Sequence, residues 1–417
     1  MQNDDQSRKQ NAGVTLRKTI ETILRLLRDA KVIKGFDGEN TSVMNSPHFG
    51  YEGKDQRQFR CDYTYTLENG TKIMIHTETS YDNGRFKAKE WDSFHIKKNE
   101  KEIKKSYVLY PDNLDEQNSH NFSVIKRKLR NKEVATSIDG IYNQTEFLHL
   151  IEDEVLGIEL NGSKAAKKGI IFELILVCVL TLPQNFQLWK NSDSSVVGWK
   201  YDLFKDIMDY LKINPADVVS VSATRNIPSL PDYIYSDGTI KQGGKPKTDV
   251  ILLVTFADGK EKQYTFSCKN TSKNTVHANQ FSARYAVDLL DLKPADEFEK
   301  LLEQYRIDGG PNNFRKKHLR EYERLEQLFV PYVDEFERWC LCGDARDGAT
   351  REQIADYIVT CHTNKNGSEL YSIIDIDTYI KNMRIKLKKK TFGTIFSWTV
   401  TKKDRDGKND IRVKAKV

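Results

Sequence analysis

Residues 246–270 read PKTDVILLVTFADGKEKQYTFSCKN, and this stretch decides how the chain is expected to fold. Its first half is apolar and rich in β-branched residues, Asp258-Gly259 is a turn signal, and an extended pattern then resumes, which together predict a β-hairpin. Asp249 stands at the head of the first strand and Lys269 at the end of the second. We therefore expect this carboxylate and this ammonium to lie side by side, either as a plain ion pair or as part of a functional site.

An apolar segment upstream carries a single charge. Between Ile170 and Leu180 the sequence IIFELILVCVL contains Glu173 as its only charged residue. The run is shorter than a bilayer span needs, so it predicts a buried core helix. An unpaired carboxylate there would cost on the order of several kcal/mol, so a cation or metal ion is expected beside it. Pairing of Glu173 with Lys168 or another basic residue is the alternative.

The composition is that of an ordinary globular protein. The chain has 417 residues, of which 30% are charged and 38% hydrophobic, enough for two or more domains that each bury a core. Residues 1–13 are polar and lack the apolar segment of a signal peptide. The six cysteines, at positions 61, 178, 268, 340, 342 and 361, do not resemble a disulfide framework. We therefore expect a cytoplasmic protein without a membrane partner.

Positive charge is concentrated at the C-terminal end. The formal net charge is +6, but residues 381–416 hold 13 Lys or Arg against 3 Asp. These basic residues are interleaved with Phe392, Phe396 and Trp398, so the segment can fold and present its cations on a face. Such a face is typical of a polyanion binder, and DNA or RNA phosphate is the simplest partner.

The order of apolar patterns predicts an α/β fold with a mixed central sheet flanked by helices. A polar tail of about a dozen residues precedes an amphipathic helix, and two strands follow near residues 58–67 and 72–79. We place a domain boundary near residue 150, which gives an additional N-terminal α+β domain at 1–150 and a second domain at 151–417. The helix shows apolar residues at helical spacing, namely Leu16, Ile20, Ile23, Leu24 and Leu27.

Four sequence blocks in the second domain carry a family resemblance. They are Pro246-Lys-Thr-Asp249, Ser267-Cys-Lys-Asn-Thr-Ser-Lys-Asn-Thr-Val276, Pro331-Tyr-Val-Asp-Glu-Phe-Glu-Arg-Trp-Cys340 and Phe392-Gly-Thr-Ile-Phe-Ser-Trp-Thr399. In this order they resemble MspI-type restriction endonucleases of the PD-(D/E)XK nuclease superfamily, over about residues 160–417. The resemblance implies a restriction-endonuclease-like core and a type II enzyme that uses Mg²⁺ to hydrolyse double-stranded DNA at a short site, CCGG for the MspI type.

The same resemblance implies roles for individual residues. Asp249 and Glu173 would ligate the metal ion together with the main-chain carbonyl of Cys268. Lys269 would orient the attacking water and offset the developing negative charge. Ser267 occupies the second acidic position of the superfamily, where MspI-type enzymes have asparagine.

Candidates for DNA contact lie in two places. One group lies at the start of a helix predicted after residue 277, where amide side chains can read base edges and where helix capping is the alternative at Asn279. The other lies in the C-terminal block and can contact bases or phosphates. The two groups are Asn279, Gln280 and Ser282, and Thr394, Ser397, Thr399, Lys402 and Lys403.

The N-terminal domain contains a second hairpin with acidic residues. Asp62 and Glu78 frame it much as Asp249 and Ser267 frame the first, but Ser80 stands where the lysine would be. Lys87 or Lys89 could replace that lysine from the next segment. The domain is then either a degenerate nuclease-like module or a plain β-rich module, and either could extend the DNA footprint through Arg85, Lys87, Lys89, Lys97 and Lys98.

Four further residues are suitable zinc ligands. They are Cys340, Cys342, Cys361 and His362, although Cys-x-Cys is tighter than the usual structural spacing and buried thiols are the default interpretation.

Three functions remain open at this point. They are a type II restriction endonuclease, a repair or structure-specific nuclease of the same fold, and an inactive DNA-binding protein. Double-stranded DNA is the expected partner in each. A companion DNA methyltransferase is expected with the first, because such an enzyme would otherwise cut its host's DNA.

Overall fold

The computed structural model describes most of the chain as two compact units, which comprise residues 1–221 and 222–417. The described residues are 2–29, 33–38, 47–50, 58–67, 69–112, 114–134, 136–156, 164–192, 196–271, 274–363, 369–387, 391–401 and 410–416. The division between the units falls at residues 221 and 222, so the domain boundary predicted near residue 150 lies inside the first unit.

The first unit contains seven helices and seven strands among its described residues. The helices are α1 (Gln2–Asp29), α2 (Asn83–Asn99), α3 (Glu116–Arg130), α4 (Gln144–Leu156), α5 (Lys164–Thr181), α6 (Pro183–Asn191) and α7 (Tyr201–Tyr210). The strands are β1 (Ile33–Asp37), β2 (His48–Gly50), β3 (Gln58–Arg60), β4 (Tyr63–Leu67), β5 (Lys72–Thr77), β6 (Ile103–Tyr110) and β7 (Gly140–Asn143).

A mixed five-stranded sheet organises the first unit. Its order is β1-β4-β5-β6-β7, with β4 antiparallel to β5 and β6 parallel to both β5 and β7. Helix α2 makes the crossover between the parallel strands β5 and β6, and its Phe86 packs against Val108 of β6 and Phe122 of α3. The apolar face predicted for α1 is confirmed, because all five residues of the predicted apolar pattern are buried.

The second unit holds the remaining helices and strands that the structure describes. The strands are β8 (Val218–Thr224, which spans the division), β9 (Tyr233–Ile234), β10 (Ile240–Lys241), β11 (Val250–Phe256), β12 (Glu261–Thr271), β13 (Thr275–Phe281), β14 (Tyr357–Thr363), β15 (Glu369–Asp375), β16 (Ser397–Val400) and β17 (Ile411–Lys416). The helices are α8 (Ala283–Leu289), α9 (Ala295–Ile307), α10 (Pro311–Lys317), α11 (Leu319–Phe329), α12 (Val333–Cys342) and α13 (Ile376–Lys386).

Two sheets carry the second unit. The larger has the order β15-β14-β12-β11-β8, with β12 antiparallel to β11 and parallel to β14. The smaller is antiparallel, with the order β13-β17-β16. One aromatic-rich core packs α8 to α13 against both sheets. The fold is therefore α/β, with mixed sheets flanked by helices, as the sequence predicts.

The hairpin predicted from residues 246–270 is confirmed as β11 and β12. Val250 pairs with Phe266 and Thr255 with Glu261. Gly259 closes the turn at φ +79°, a conformation that glycine adopts without strain. Asp249 donates its main-chain N–H to the Phe266 carbonyl at 2.8 Å, so the carboxylate is fixed at the first rung of the ladder.

Two local predictions were wrong. The polar tail does not precede the helix but forms part of it, because α1 already begins at Gln2. The helix predicted to start at Asn279 begins instead at Ala283, and residues 275–281 form strand β13. This strand gains its hydrogen bonds from β17, more than 130 residues later in the chain, which a local helical pattern cannot reveal.

A buried carboxylate joins two of the sequence blocks that carry the family resemblance. Glu337 of α12 is fully buried and accepts the N–H of Ile395 at 2.8 Å. The same side chain accepts two hydrogen bonds from Arg384 of α13, at 2.9 and 2.6 Å. Glu337 therefore anchors the turn that precedes β16.

Replacing this carboxylate should destabilise the second unit. We expect Glu337→Gln to lower the free energy of unfolding by about 2 kcal/mol, because hydrogen bonds to a charged group are lost in a buried place. Glu335→Gln, which removes an exposed carboxylate from the same helix, should cost less than about 0.5 kcal/mol. Urea unfolding measures both, and equal effects would contradict the anchoring role.

Helix α5 is the buried core helix that the sequence predicts, with Phe172 and Leu174 to Leu180 all buried. Among the described residues, no single helix is long and apolar enough to span a bilayer. Residues Phe172–Thr181 and Pro183–Asn191 reach that length and composition only as a pair bent by 52°.

Candidate active site and nucleic-acid interface

The end of the β11–β12 hairpin gathers three of the predicted site residues. Asp249 Oδ2 accepts the main-chain N–H of Cys268 at 2.7 Å and lies 3.3 Å from Ser267 Oγ. This hydrogen bond from the Cys268 N–H fixes the position of the Asp249 carboxylate relative to the main chain of β12. The Ser267 hydroxyl and the Cys268 N–H both donate to Oδ2 of Asp249.

Lys269 completes this arrangement. Its Nζ donates to Ser267 Oγ at 2.8 Å and lies 3.8 Å from Asp249 Oδ2. The Lys269 and Asp249 side chains keep 22% and 26% of their surface exposed, so the pair is sheltered but reachable from solvent. The ammonium and the carboxylate do lie side by side, with a serine hydroxyl between them.

Lys247 is a site residue that the sequence reasoning missed. It lies in the same block as Asp249, and its Nζ donates to the Ala278 carbonyl at 2.7 Å and to Asn279 Oδ1 at 2.9 Å. The residue is half-buried, and removal of its ammonium from water lowers the pKa of Lys247 to about 8. Lys247 thus joins the Asp249 segment to β13. The only sequence signal was a lysine two residues before the carboxylate.

The lowered pKa gives a pH prediction. Lys247 should titrate near pH 8, well below the 10.5 of an ordinary lysine. Between these values the unfolded chain still holds the proton that the folded chain has released, so the free energy of unfolding should rise with pH across this window and not below it. Carbon-13 NMR of labelled lysine Cε, assigned with Lys247→Met, measures the midpoint; a value above pH 10 would contradict the desolvated position.

The small sheet has one buried and one basic face. Along β17, Ile411, Val413 and Ala415 are buried in the core, and the residues between them point to the opposite face. We call this face the basic face. It is formed by Arg412, Lys414 and Lys416 of β17, by Ser397 and Thr399 of β16, which pair with Lys414 and Arg412, and by Thr275, His277 and Gln280 of β13.

The electrostatics of His277 show that this face is positive. The His277 imidazole is partly removed from water, which disfavours its protonated form. The positive charges of nearby basic side chains add to this effect, and together they lower the pKa of His277 to about 4. These basic residues are Lys247, Arg412, Lys269 and Lys414. Lys269 of the candidate active site and Lys414 of the basic face therefore act on one imidazole. Both lysines therefore lie near His277 within the second unit.

The predicted DNA-contact residues separate into two groups. Gln280, Ser397 and Thr399 lie on the basic face, where Gln280 Nε2 donates to Asp410 at 2.8 Å and its Oε1 accepts from Arg412 at 3.0 Å. Thr399 Oγ1 lies 3.3 Å from the Arg412 carbonyl. Lys402 and Lys403 lie outside the described residues.

The other three candidates have structural roles instead. Asn279 is buried and accepts hydrogen bonds from Lys247 and from the N–H of Gln280. Ser282 is the N-cap of α8 and accepts from the N–H of Tyr285. Thr394 is fully buried, donates to the Thr391 carbonyl and accepts from Trp398 Nε1 at 2.8 Å. Helix capping, the alternative expected at Asn279, does not apply there because Asn279 lies in a strand, and the N-cap is Ser282 instead.

The cysteines behave as core thiols. Cys340, Cys342 and Cys361 are buried, and Cys342 Sγ donates to the Arg338 carbonyl. Burial raises the pKa of Cys340 well above its usual value and that of Cys342 to about 11, which disfavours the thiolate that zinc requires. The zinc alternative also lacks a suitable group of three His, Cys, Asp or Glu side chains in the described part of the chain.

Oxygen ligands for a divalent cation are few but of the right kind. Asp249 supplies a carboxylate, and the hydroxyl of Ser267 and the main chain of Cys268 lie beside it. Mg²⁺ keeps several waters and is commonly held by one or two carboxylates, so this donor set fits it. Glu173 lies on α5 of the first unit and is half-buried, and its role as the second carboxylate stays a prediction.

Comparison with known proteins gives the family. Residues 149–415 match the sequence model of the family described as restriction endonuclease MspI. The chain belongs to the MspI restriction endonuclease family. This family comprises site-specific deoxyribonucleases, so the chain is classed as a type II enzyme of that kind. The match includes the hairpin, Lys247 and the basic face except Lys416, and it leaves residues 1–148 outside.

Two MspI proteins illustrate the similarity. The type II restriction enzyme MspI of Moraxella sp. is 25% identical over 265 residues, which cover 61% of this chain and 94% of that enzyme. The crystal structure of MspI in complex with its cognate DNA is 16% identical, with a TM-score of 0.49, and the match covers 65% of this chain and 98% of that one.

Proposed function

We propose that this member of the MspI family hydrolyses phosphodiester bonds in double-stranded DNA at a short specific sequence, with Mg²⁺ as cofactor. The observation that carries the proposal is the Asp249–Ser267–Lys269 cluster at the end of the hairpin, in the same unit as the basic face. A nuclease needs a carboxylate, a cation near the scissile phosphate and a positive surface for the duplex, and the second unit contains all three.

The protein's own residues would divide the work as follows. Asp249 Oδ1 and the Cys268 carbonyl would hold the cation, since Oδ2 is already tied to the main chain. A bound Mg²⁺ would polarise the phosphoryl oxygen and lower the pKa of a coordinated water. Lys269 would orient the attacking water and offset the negative charge that develops on the phosphoryl group. Ser267 would hold the Lys269 ammonium in place through the 2.8 Å hydrogen bond.

Binding of the duplex would use the basic face. Arg412, Lys414 and Lys416 would contact phosphates, which supply most of the affinity but little specificity. Gln280 now forms hydrogen bonds with Arg412 and Asp410. If it released them, its amide could donate to one base atom and accept from another, and so read a base edge. The resemblance to MspI suggests CCGG as the target.

The cellular setting follows from this activity. A companion DNA methyltransferase would protect the host DNA, without a stable complex being needed. We expect the enzyme to act in the cytoplasm, where it would meet DNA.

The proposal is tested on defined DNA with Mg²⁺. We expect a ladder of discrete fragments, and run-off sequencing of the cut ends should report one short sequence and one cut position in each strand. A smear of fragments would support a repair or structure-specific nuclease instead. Absence of cleavage with persistent binding would support a DNA-binding protein.

A further inference from the structure

A second hairpin in the first unit repeats the geometry of the candidate active site. Asp62 donates its N–H to the Ile75 carbonyl at 2.9 Å, as Asp249 does to Phe266. Asp62 Oδ2 accepts the N–H of Thr77, two residues after Ile75, at 2.6 Å. In the second unit Asp249 Oδ2 accepts the N–H two residues after Phe266 at 2.7 Å. In both units the second strand of the hairpin also pairs with a parallel strand along its other edge.

This register assigns equivalent positions residue by residue. His76 takes the place of Ser267, Thr77 that of Cys268, and Glu78 that of Lys269. The correspondence expected from the sequence, with Glu78 at the position of Ser267 and Ser80 at that of the lysine, was therefore wrong by two residues. His76 is buried and hydrogen-bonded to Ser93 at 2.9 Å, so it does not face a ligand as a free base.

Because Glu78 stands at the position that Lys269 has in the second unit, the cation of this cluster comes from helix α2 instead. Lys89 of α2 lies with its Nζ 3.1 Å from Glu78 Oε1, and Arg85 lies 3.8 Å from Glu78 Oε2. Glu78 and Lys89 keep only 12% and 18% of their side-chain surface exposed. This cluster therefore has two carboxylates, Asp62 and Glu78, and one sheltered ammonium. The candidate active site of the second unit has one carboxylate and one ammonium.

These groups line a cleft of about 450 Å³. Its charged residues are Asp62, Glu78, Lys89, Arg17, Arg60 and Arg85, together with Asp92. Arg17 is partly buried, and its Nε has no hydrogen-bond partner among the described residues. A phosphate oxygen is an acceptor that suits a guanidinium.

We propose that Asp62 and Glu78 form a second divalent-cation site, and that Lys89 and the arginines of the cleft bind a nucleic-acid phosphate beside it. The equivalence of position rests on the proposed role of Asp249, but the cleft, its carboxylates and its cations stand independently. Two carboxylates suffice for Mg²⁺ or Mn²⁺ when carbonyls and waters complete the shell. The site lies outside the residues that match the MspI family, so the family does not account for it.

Counting bound Mn²⁺ on the full chain tests the cation site. Electron paramagnetic resonance of free Mn²⁺ should show two ions bound per wild-type chain, one in Asp62→Asn, one in Asp249→Asn and none in the double variant. Glu78→Gln should also lose one ion. It is the safer variant for folding, because Glu78 is held by ion pairs whereas Asp62 also accepts a main-chain N–H.

Controls separate this proposal from the previous one. Glu116→Gln removes an exposed carboxylate of α3 in the same unit and should leave both ions bound. An unchanged count in both Asp62→Asn and Glu78→Gln, with the circular dichroism of the wild type, would overturn the second site. An unchanged count in Asp249→Asn alone would overturn the metal role of Asp249 and leave the second site standing.

The phosphate contact has its own readout. Binding of a labelled duplex without a recognised sequence should weaken in Lys89→Gln, and the slope of log K against log salt should fall by about 0.9, the value of one phosphate contact. Lys101→Gln, an exposed lysine after α2, is the matched control and should keep the wild-type slope. Equal slopes for Lys89→Gln and the wild type would overturn the phosphate contact.

Discussion

Asp249→Asn and Lys269→Ala are each expected to slow DNA cleavage by about a thousandfold or more, the order of effect seen when a group that stabilises the transition state is removed. Asparagine keeps the shape of Asp249 and can still accept the N–H of Cys268, but it lacks the charge that holds a divalent cation. Alanine at 269 removes the ammonium that faces Ser267 and Asp249. Affinity for DNA should persist in both variants, because the basic face is unchanged.

Single-turnover cleavage with Mg²⁺ and duplex binding measured separately will check this expectation. Asp258→Asn and Lys260→Ala are matched controls, since this exposed ion pair lies at the turn of the same hairpin, at its other end. They should cut at the wild-type rate. If Asp249→Asn cuts as fast as Asp258→Asn, the active site lies elsewhere in the chain.

The second large effect is expected on the basic face. The double variant Lys414→Gln, Lys416→Gln should bind duplex DNA more weakly at every salt concentration. Each lysine that contacts a phosphate contributes about 0.9 to the slope of log K against log salt, so the slope should fall by about 1.8. The physical reason is that two fewer counterions are released from the duplex on binding.

Fluorescence anisotropy across a salt series measures this slope. Lys260→Gln, Lys300→Gln is the control, because it removes two exposed lysines of the same unit, from the hairpin turn and from α9. Both double variants lower the net charge equally. A control that shifts the slope as much as the double variant would show that only total charge matters, and it would remove the basic face from the interface.

Most of the candidate site could be predicted because its signals are local. The apolar strand, the Asp-Gly turn and the following strand lie within 25 residues, so their register follows from the loop length. Positive charge at the C-terminal end was equally visible. The lysine-rich composition did not show, however, that alternate residues of β17 point to one face, because that requires knowing which residues form the strand.

Other assignments depended on distant contacts. By residue type alone, Asn279, Ser282 and Thr394 are suited to contact DNA bases. In the structure they already form hydrogen bonds with Lys247, Tyr285 and Trp398, respectively. Polar side chains that are buried must find protein partners, so burial rather than residue type decided their role.

The sequence by itself determined the hairpin, the pair of Asp249 and Lys269 and the positive C-terminal end, because each depends on residues that are neighbours in the chain. Only the tertiary structure decided that residues 275–281 form a strand, that Lys247 links the site to it, and that Glu78 meets Lys89. A strand takes its hydrogen bonds, and a buried charge its partner, from whichever segment packs against it. Which segments pack together is determined by burial of the whole hydrophobic core, and a local stretch of sequence does not contain that information.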